Sequence, residues 1–299
     1  MPGERTEFSI TNSNTCWVFI SDSNEVRHII DVAYAVLVLK QRGVADSAIR
    51  FFTDDPQGVA YTTALGIPNP LPISAFQGSM QSATGFENLF VVVAGHGGVE
   101  GIGHPVKISP ADLVRHSRSA PGIRLVTIAL TQCFAGVFNF INARAEPPVV
   151  MFGAANLGSS ISTLIDLGAP VVSSVSGNFI QRWSANVFML YLFKWIQSPR
   201  DIDGDGRVCL LDAYKYSGAS ASAEIIRVKP NIFLESLDLS EKLKKQEADI
   251  ASGAVPNTLT EQLKVMATRQ ELDGRVSILY TSQEPWLLYA DLARSITFA

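Results

Sequence analysis

Runs of mainly apolar residues recur along the first half of the chain: CWVFI at 16–20, IRFFT at 49–53, LFVVVAG at 89–95, IRLVTIAL at 123–130 and PVVMFGAAN at 148–156. They are rich in β-branched or aromatic residues and do not alternate with polar positions. That is the pattern of strands covered on both faces. Between the first two runs, Ile29, Ile30, Ala33, Val36, Leu37 and Leu39 fall at helix-like spacing within 24–42, ahead of Gly43, and predict a crossover helix. Ser109 and Pro110 open a second predicted helix over about 109–116, and the apolar stretch 178–197 predicts a third after the last core strand. Alternating strands and helices predict an α/β fold, a mainly parallel sheet sandwiched by helices.

Past about residue 230 the pattern weakens. SEKLKKQEADIASGAVPN at 240–257 predicts a charged helix running into a mobile linker, followed by a helix over 261–269 and an apolar tail with Trp286. The expected organisation is one domain over 1–230 and a partly helical C-terminal extension over 231–299. No internal repeat is visible.

Composition narrows the function. The 299 residues carry only 17% charged side chains and a net charge of -4, without long basic blocks, so neither nucleic acid nor an anionic membrane is expected as a partner. The amino terminus, MPGERTEFSITNSNT, lacks the pattern of a secretory signal, and the most apolar run, Val187 to Phe193, is broken by Lys194. Cys16, Cys133 and Cys209 are odd in number and widely spaced, which implies no disulfide framework and favours a reducing compartment. A cytoplasmic protein with a working thiol is the expectation.

Two strand ends carry candidate chemistry. LFVVVAG runs into His96-Gly97-Gly98, and IRLVTIAL runs into Thr131-Gln132-Cys133-Phe134-Ala135-Gly136. In an open parallel sheet the carboxyl ends of the strands border the ligand crevice, so a His and a Cys on separate strands can face each other there. Thiol catalysis needs that pairing: the thiolate attacks a carbonyl, the imidazole moves the proton, and small residues give backbone N–H groups access to the oxyanion. The HGG triplet also fits a lipase oxyanion loop, but the G-x-S-x-G elbow such an enzyme needs is absent.

The order strand, His-Gly, strand, Cys-x-x-Gly resembles the caspase-like peptidases, and further segments resemble the legumain family in particular. SNEVRHIIDVAYAVLVLKQRGVADSAIRFFTDD at 23–55 is similar to the legumain stretch in which an Arg-His pair opens the first helix and an Asp-Asp follows the second strand. GAANLGSS at 153–160 is similar to the segment that borders the legumain specificity pocket. The resemblance covers roughly residues 15–220. It implies a caspase-like fold, Cys133 as nucleophile, His96 as general acid/base, and the backbone N–H groups of Gly97 and Cys133 as oxyanion hole. It also implies Arg27, Ser159 and Ser160 as substrate-binding residues, with His28 helping to shape the pocket. A guanidinium at Arg27 suits a carboxylate or carboxamide side chain before the scissile bond. Thr131 stands where legumain carries an acid, and Asp166 is only a loose candidate for the later pocket aspartate. His104 and His116 have no motif role and are expected as surface histidines.

The segment DIDGDGRVCLLD at 201–212 fits a calcium loop, with Asp201, Asp203 and Asp205 at positions 1, 3 and 5, Gly206 at the turn, the Arg207 carbonyl at position 7 and Asp212 at position 12. A structural or regulatory Ca2+ is therefore expected, because alternating carboxylates repel unless a cation compensates them. An acidic turn without an ion is the plainer alternative.

Together these features predict a cysteine endopeptidase acting on proteins or peptides, with an activating protease or regulatory protein as a further kind of partner. The rivals are a catalytically silent calcium-binding interaction module and a peptide ligase or transamidase on the same dyad. Arg144 and the 240–257 segment are candidate sites of nicking.

Overall fold

In a computed structural model of the protein, residues 7–22, 24–65, 69–142, 145–168, 171–173 and 179–299 are described. Ser23, Arg144 and Asn178, which figure in the motifs above, lie outside them. The chain divides into two compact units, residues 1–221 with 283–299, and residues 222–282.

The first unit begins with β1 (Phe8–Ile10) and β2 (Thr15–Asp22), then α1 (Val26–Gln41), β3 (Ile49–Thr53), α2 (Gln57–Leu65) and α3 (Phe76–Gln81). It continues through β4 (Asn88–Gly95), the two-residue strands β5 (Gly97–Gly98) and β6 (Gly101–Ile102), α4 (Pro110–Arg118), β7 (Leu125–Leu130) and β8 (Val149–Gly153). After β9 (Ser162–Asp166), β10 (Val172–Ser173), β11 (Phe179–Ile180) and β12 (Arg182–Asn186) come α5 (Val187–Gln197) and the long α6 (Leu210–Ala251). The chain closes with α7 (Leu259–Tyr280), β13 (Trp286–Leu288), α8 (Ala290–Arg294) and β14 (Ile296–Phe298).

The six-stranded sheet has the order β13-β8-β7-β4-β2-β3, parallel except for the antiparallel edge strand β13. Its alternate faces explain the mainly apolar runs. Val18, Ile20, Val91, Val93, Ile128 and Leu130 point to one side, in the cluster with Phe76 and Met80 of α3 and Leu113 of α4. Phe19 and Phe152 point to the other, against Phe193 and Phe188 of α5. With both faces covered, no polar alternation survives. Helix α4 starts as its sequence predicts: Pro110 occupies the first turn and the Ser109 hydroxyl accepts from the Asp112 N–H at 3.2 Å.

The sheet thus agrees with the expected α/β architecture, and the differences lie elsewhere. The predicted helix over 178–197 is helical only from Val187; residues 182–186 form β12, paired antiparallel with β9. The reason is tertiary. Trp183 turns its indole N–H to the buried Asp31 carboxylate at 2.7 Å, and Asn186 caps α5 by accepting from the Met189 N–H at 3.0 Å. The apolar tail also returns to the first unit, Trp286 pairing with Gly153 of β8 and β14 lying parallel to β1.

In the second unit the predicted charged helix at 240–257 is the later part of α6, which continues through Pro230 and ends at Ala251. The helix predicted over 261–269 spans 259–280 and is opened by the Thr258 hydroxyl, which accepts from the Glu261 N–H at 3.4 Å. Ion pairs Arg275–Glu235 at 2.9 Å and Arg269–Glu247 link the two helices. No helix among the described residues is long and apolar enough to cross a membrane.

Candidate active site

Sheet topology selects one place. From β2 the chain moves out to β3 and then crosses back over β2 to β4, so the strand order reverses between β2 and β4. In open α/β sheets the crevice at the carboxyl ends beside such a switch is where ligands bind. At that end β2 leads into α1, which carries Arg27 and His28; β4 leads into His96; and β7, the next strand, leads into Cys133.

The two candidate catalytic residues stand at matching positions. Val93 of β4 is in register with Leu130 of β7, and the Thr131 N–H donates to the Val93 carbonyl at 3.0 Å, so His96 and Cys133 each follow the paired residues by three. Their loops touch. A Cβ on Gly97 would lie 2.3 Å from the Cys133 carbonyl oxygen and 2.3 Å from Gln132 Cγ, so only glycine allows this approach. Gly136 is constrained likewise: its N–H donates to the Asn156 carbonyl at 3.0 Å, and a Cβ there would meet Asn156 Oδ1 at 2.4 Å. Between them Phe134, directly after the candidate nucleophile, sits at φ 55°. A bulky residue in the left-handed region is strained, and such strain collects at functional turns.

His96 is partly exposed, its backbone fixed by donation to the Asp22 carbonyl at 2.9 Å and acceptance from the Gly103 N–H at 3.0 Å. Its Nε2 lies 3.0 Å from Glu25 Oε1, while Glu25 Oε2 accepts from Arg27 Nε at 2.5 Å. Glu25 therefore bridges the imidazole and the guanidinium. The Arg27 hydrogen bond, against the opposing effect of burial, holds the Glu25 carboxyl below its usual range. His28 is buried and meets the His96 ring edge-on, centroids 5.1 Å apart; burial first, then the Arg27 charge, push it down to about 3 and keep it neutral.

The Cys133 Sγ faces Ser160, whose N–H points at it from 3.4 Å. No hydrogen bond joins His96 to Cys133; the imidazole Nε2 is paired with Glu25 instead. Arg27 Nη1 donates to Ser162 Oγ at 2.8 Å, which sets the guanidinium against the start of β9. Ser159 is exposed. Asp166 faces Arg182 across β9 and β12 at 3.5 Å, both half-exposed. His104 is exposed, whereas His116 packs edge-on against Phe76 instead of standing free at the surface.

Sequence reasoning missed three contributors. Glu25 was signalled only as an acid two residues before Arg27. Asn186, read as part of a helix, donates through Nδ2 to the Thr131 carbonyl at 2.7 Å and to Ser160 Oγ at 2.9 Å, so one side chain supports both segments flanking the thiol. Behind it the buried Asp31 carboxylate accepts from the Trp183 indole and from the Asn186 N–H at 3.3 Å; burial pushes this carboxyl up to about 7 despite those bonds. A cavity of about 710 Å³ lined by Phe8, Arg124, Pro147 and Asp291 opens at the opposite, amino-terminal end of the strands, away from these residues.

In the 201–212 loop, carboxylate oxygens of Asp201, Asp203 and Asp205 lie within 4.8 Å of one another. Asp201 accepts from the Gly204 and Gly206 N–H groups at 2.7 and 2.8 Å. Asp212 is engaged elsewhere, accepting from the Ile202 N–H at 2.8 Å and the Cys209 N–H at 2.9 Å, and it is fully buried. Lys215 reaches Asp203 at 2.7 Å, and Arg294 lies 3.6 Å from Asp205, so side-chain cations already offset part of the repulsion. The Arg207 guanidinium pairs with Glu7 at 3.1 Å, and the Val208 carbonyl accepts from the Phe298 N–H at 3.0 Å, tying the loop to β14.

A scan against protein-family models finds no match to this chain, and a search of curated proteins finds no relative.

Proposed function

We propose that the chain is a caspase-like cysteine endopeptidase, nearest in kind to the legumains, cleaving peptide bonds through an acyl-enzyme on Cys133. The observation that carries the reading is the approach of the His96-Gly97 and Cys133 loops at the carboxyl ends of neighbouring strands beside the topological switch. In this reading the Cys133 thiolate attacks the scissile carbonyl, forming a thioester as the C–N bond breaks. His96 takes the thiol proton and delivers it to the leaving amine, and a water then hydrolyses the thioester. Glu25, at hydrogen-bond distance from Nε2, orients the imidazole and offsets the charge it gains. The Gly97 and Cys133 N–H groups serve the oxyanion. Resolution of the same thioester by an amine gives ligation in place of hydrolysis, the closest rival chemistry.

The reading is tested at the thiol itself. Cys16 and Cys209 are buried, and burial pushes both up to about 11, whereas Cys133 is partly exposed beside an imidazole loop. A peptidyl electrophile at neutral pH is expected to label Cys133 well ahead of the other two, which burial keeps protonated and out of the reagent's reach. Peptide mapping that found Cys16 or Cys209 labelled first would contradict it.

For the acidic loop we propose a calcium ion held by Asp201, Asp203 and Asp205, favoured by the convergence of their oxygens. Lys215 would then have to release Asp203. The expected outcome is a Tm raised by several degrees in millimolar Ca2+, since about 100 Kd of ligand adds roughly 2.7 kcal/mol, an increment lost in Asp203→Ala. A Tm that moves neither with Ca2+ nor with chelator leaves the Lys215–Asp203–Arg294 ion pairs as the whole account of the loop.

A further inference from the structure

The segment that follows β8 is a loop closed at its neck by a residue from the far end of the sequence. Gln283 is buried, and its side-chain amide spans the two sides of that neck: Nε2 donates to the Ala154 carbonyl at 2.5 Å and Oε1 accepts from the Ile161 N–H at 3.2 Å. Trp286 adds a bond on the outgoing side, its indole N–H donating to the Ala155 carbonyl at 3.0 Å. Between these points the loop lies against the candidate nucleophile. Its Gly158 carbonyl accepts from the Phe134 N–H at 2.8 Å, its Asn156 carbonyl from the Gly136 N–H at 3.0 Å, and its Ser160 N–H points at Cys133 Sγ from 3.4 Å.

We propose that Gln283 is a positioning residue for Cys133: by closing the 154–161 loop it holds the Ser160 N–H on the sulfur and fixes the wall formed by Ser159 and Ser160. The proposal rests on the peptidase reading in taking Cys133 as the nucleophile. It gives the C-terminal segment a part in the active site that its remoteness in sequence conceals. The physical argument is one of geometry and charge. The Ser160 N–H lies 3.4 Å from the sulfur and the Ser160 carbonyl, which would accept from the thiol, lies farther off at 4.0 Å, so the nearer contact is the one that favours thiolate over thiol. Asn186 Nδ2 on Ser160 Oγ and the bonds to Phe134 and Gly136 already restrain this loop, and closing its neck removes conformations they leave open, which keeps the Ser160 N–H on the sulfur. No other single residue among those described bonds both sides of this neck through its side chain.

The test measures the pH dependence of Cys133 alkylation by iodoacetamide in the full chain, which requires no peptidase activity. In Gln283→Ala the profile is expected to move to the alkaline side, slowing labelling at neutral pH by about 3- to 10-fold. A small reagent makes no use of the pocket wall, so the shift reports the sulfur's environment. Gln283→Glu keeps the acceptor for Ile161 but sets an oxygen against the Ala154 carbonyl, and it decides the matter by the same readout if the alanine variant does not fold. An unmoved profile in a variant that still melts cooperatively overturns the proposal. A wild type with this pH profile that cleaves no peptide overturns the peptidase reading instead, so the two failures are separate.

Discussion

On the proposed peptidase reading, replacing Cys133 by alanine is expected to lower peptide turnover by at least about 10⁴-fold, and His96→Ala by roughly 10²- to 10⁴-fold. Without the sulfur there is no acyl-enzyme. Without the imidazole the thiol must lose its proton to solvent and the amine must leave unprotonated. Neither side chain supports the core: both are partly exposed at strand ends, so neither variant should lose more than a small part of the stability. Initial rates on one cleaved peptide, with Tm recorded for each variant, check this. Near wild-type turnover in either folded variant removes that residue from the mechanism.

Arg27→Ala is expected to reduce kcat/KM by about 30- to 1000-fold on substrates with Asn or Asp before the scissile bond, and far less on others. In the structure the guanidinium is braced by Glu25 at 2.5 Å and Ser162 at 2.8 Å, which fixes its plane beside the His96 loop. A fixed guanidinium can offer two parallel hydrogen bonds to a carboxylate or carboxamide. Glu25 adds a further consequence: removing Arg27 also frees the carboxylate that holds His96, so part of the loss falls on kcat. Specificity profiles of wild type and variant separate the two. A wild-type preference for Lys or Arg at that position contradicts the assignment, because the favoured side chain would then be repelled.

Much of the sheet was legible because its cause is local. Strands such as Phe90–Val93, and Val126–Leu130 apart from the buried Thr127, are apolar on both faces, and helices on both sides are the condition that permits this. The candidate crevice at the carboxyl ends follows from a parallel sheet, and the placement of His96 and Cys133 at strand ends from where the apolar runs stop; the strand order that puts a switch there is visible only in the structure. What was not legible depends in large part on partners remote in sequence. Residues 182–186 read as helix as part of the longer apolar stretch 178–197; the polar-apolar alternation of Arg182-Trp183-Ser184-Ala185-Asn186 is itself a strand signal, which pairing with β9 and the Trp183–Asp31 bond bear out. The tail around Gln283 and Trp286 gave no sign that it returns to β8, since the groups that receive it are backbone atoms more than a hundred residues away. Glu25 was hidden for a different reason. An acid at a helix start is ordinary, and its significance lies only in reaching Arg27 and His96 together.

The most direct test of the central claim is to incubate the full chain with a diverse peptide library and read new peptide termini by mass spectrometry, with Cys133→Ala and His96→Ala in parallel. The account predicts cleavages by the wild type that are absent from both variants. A wild type that cleaves nothing, or a Cys133→Ala variant that cleaves as the wild type does, contradicts it.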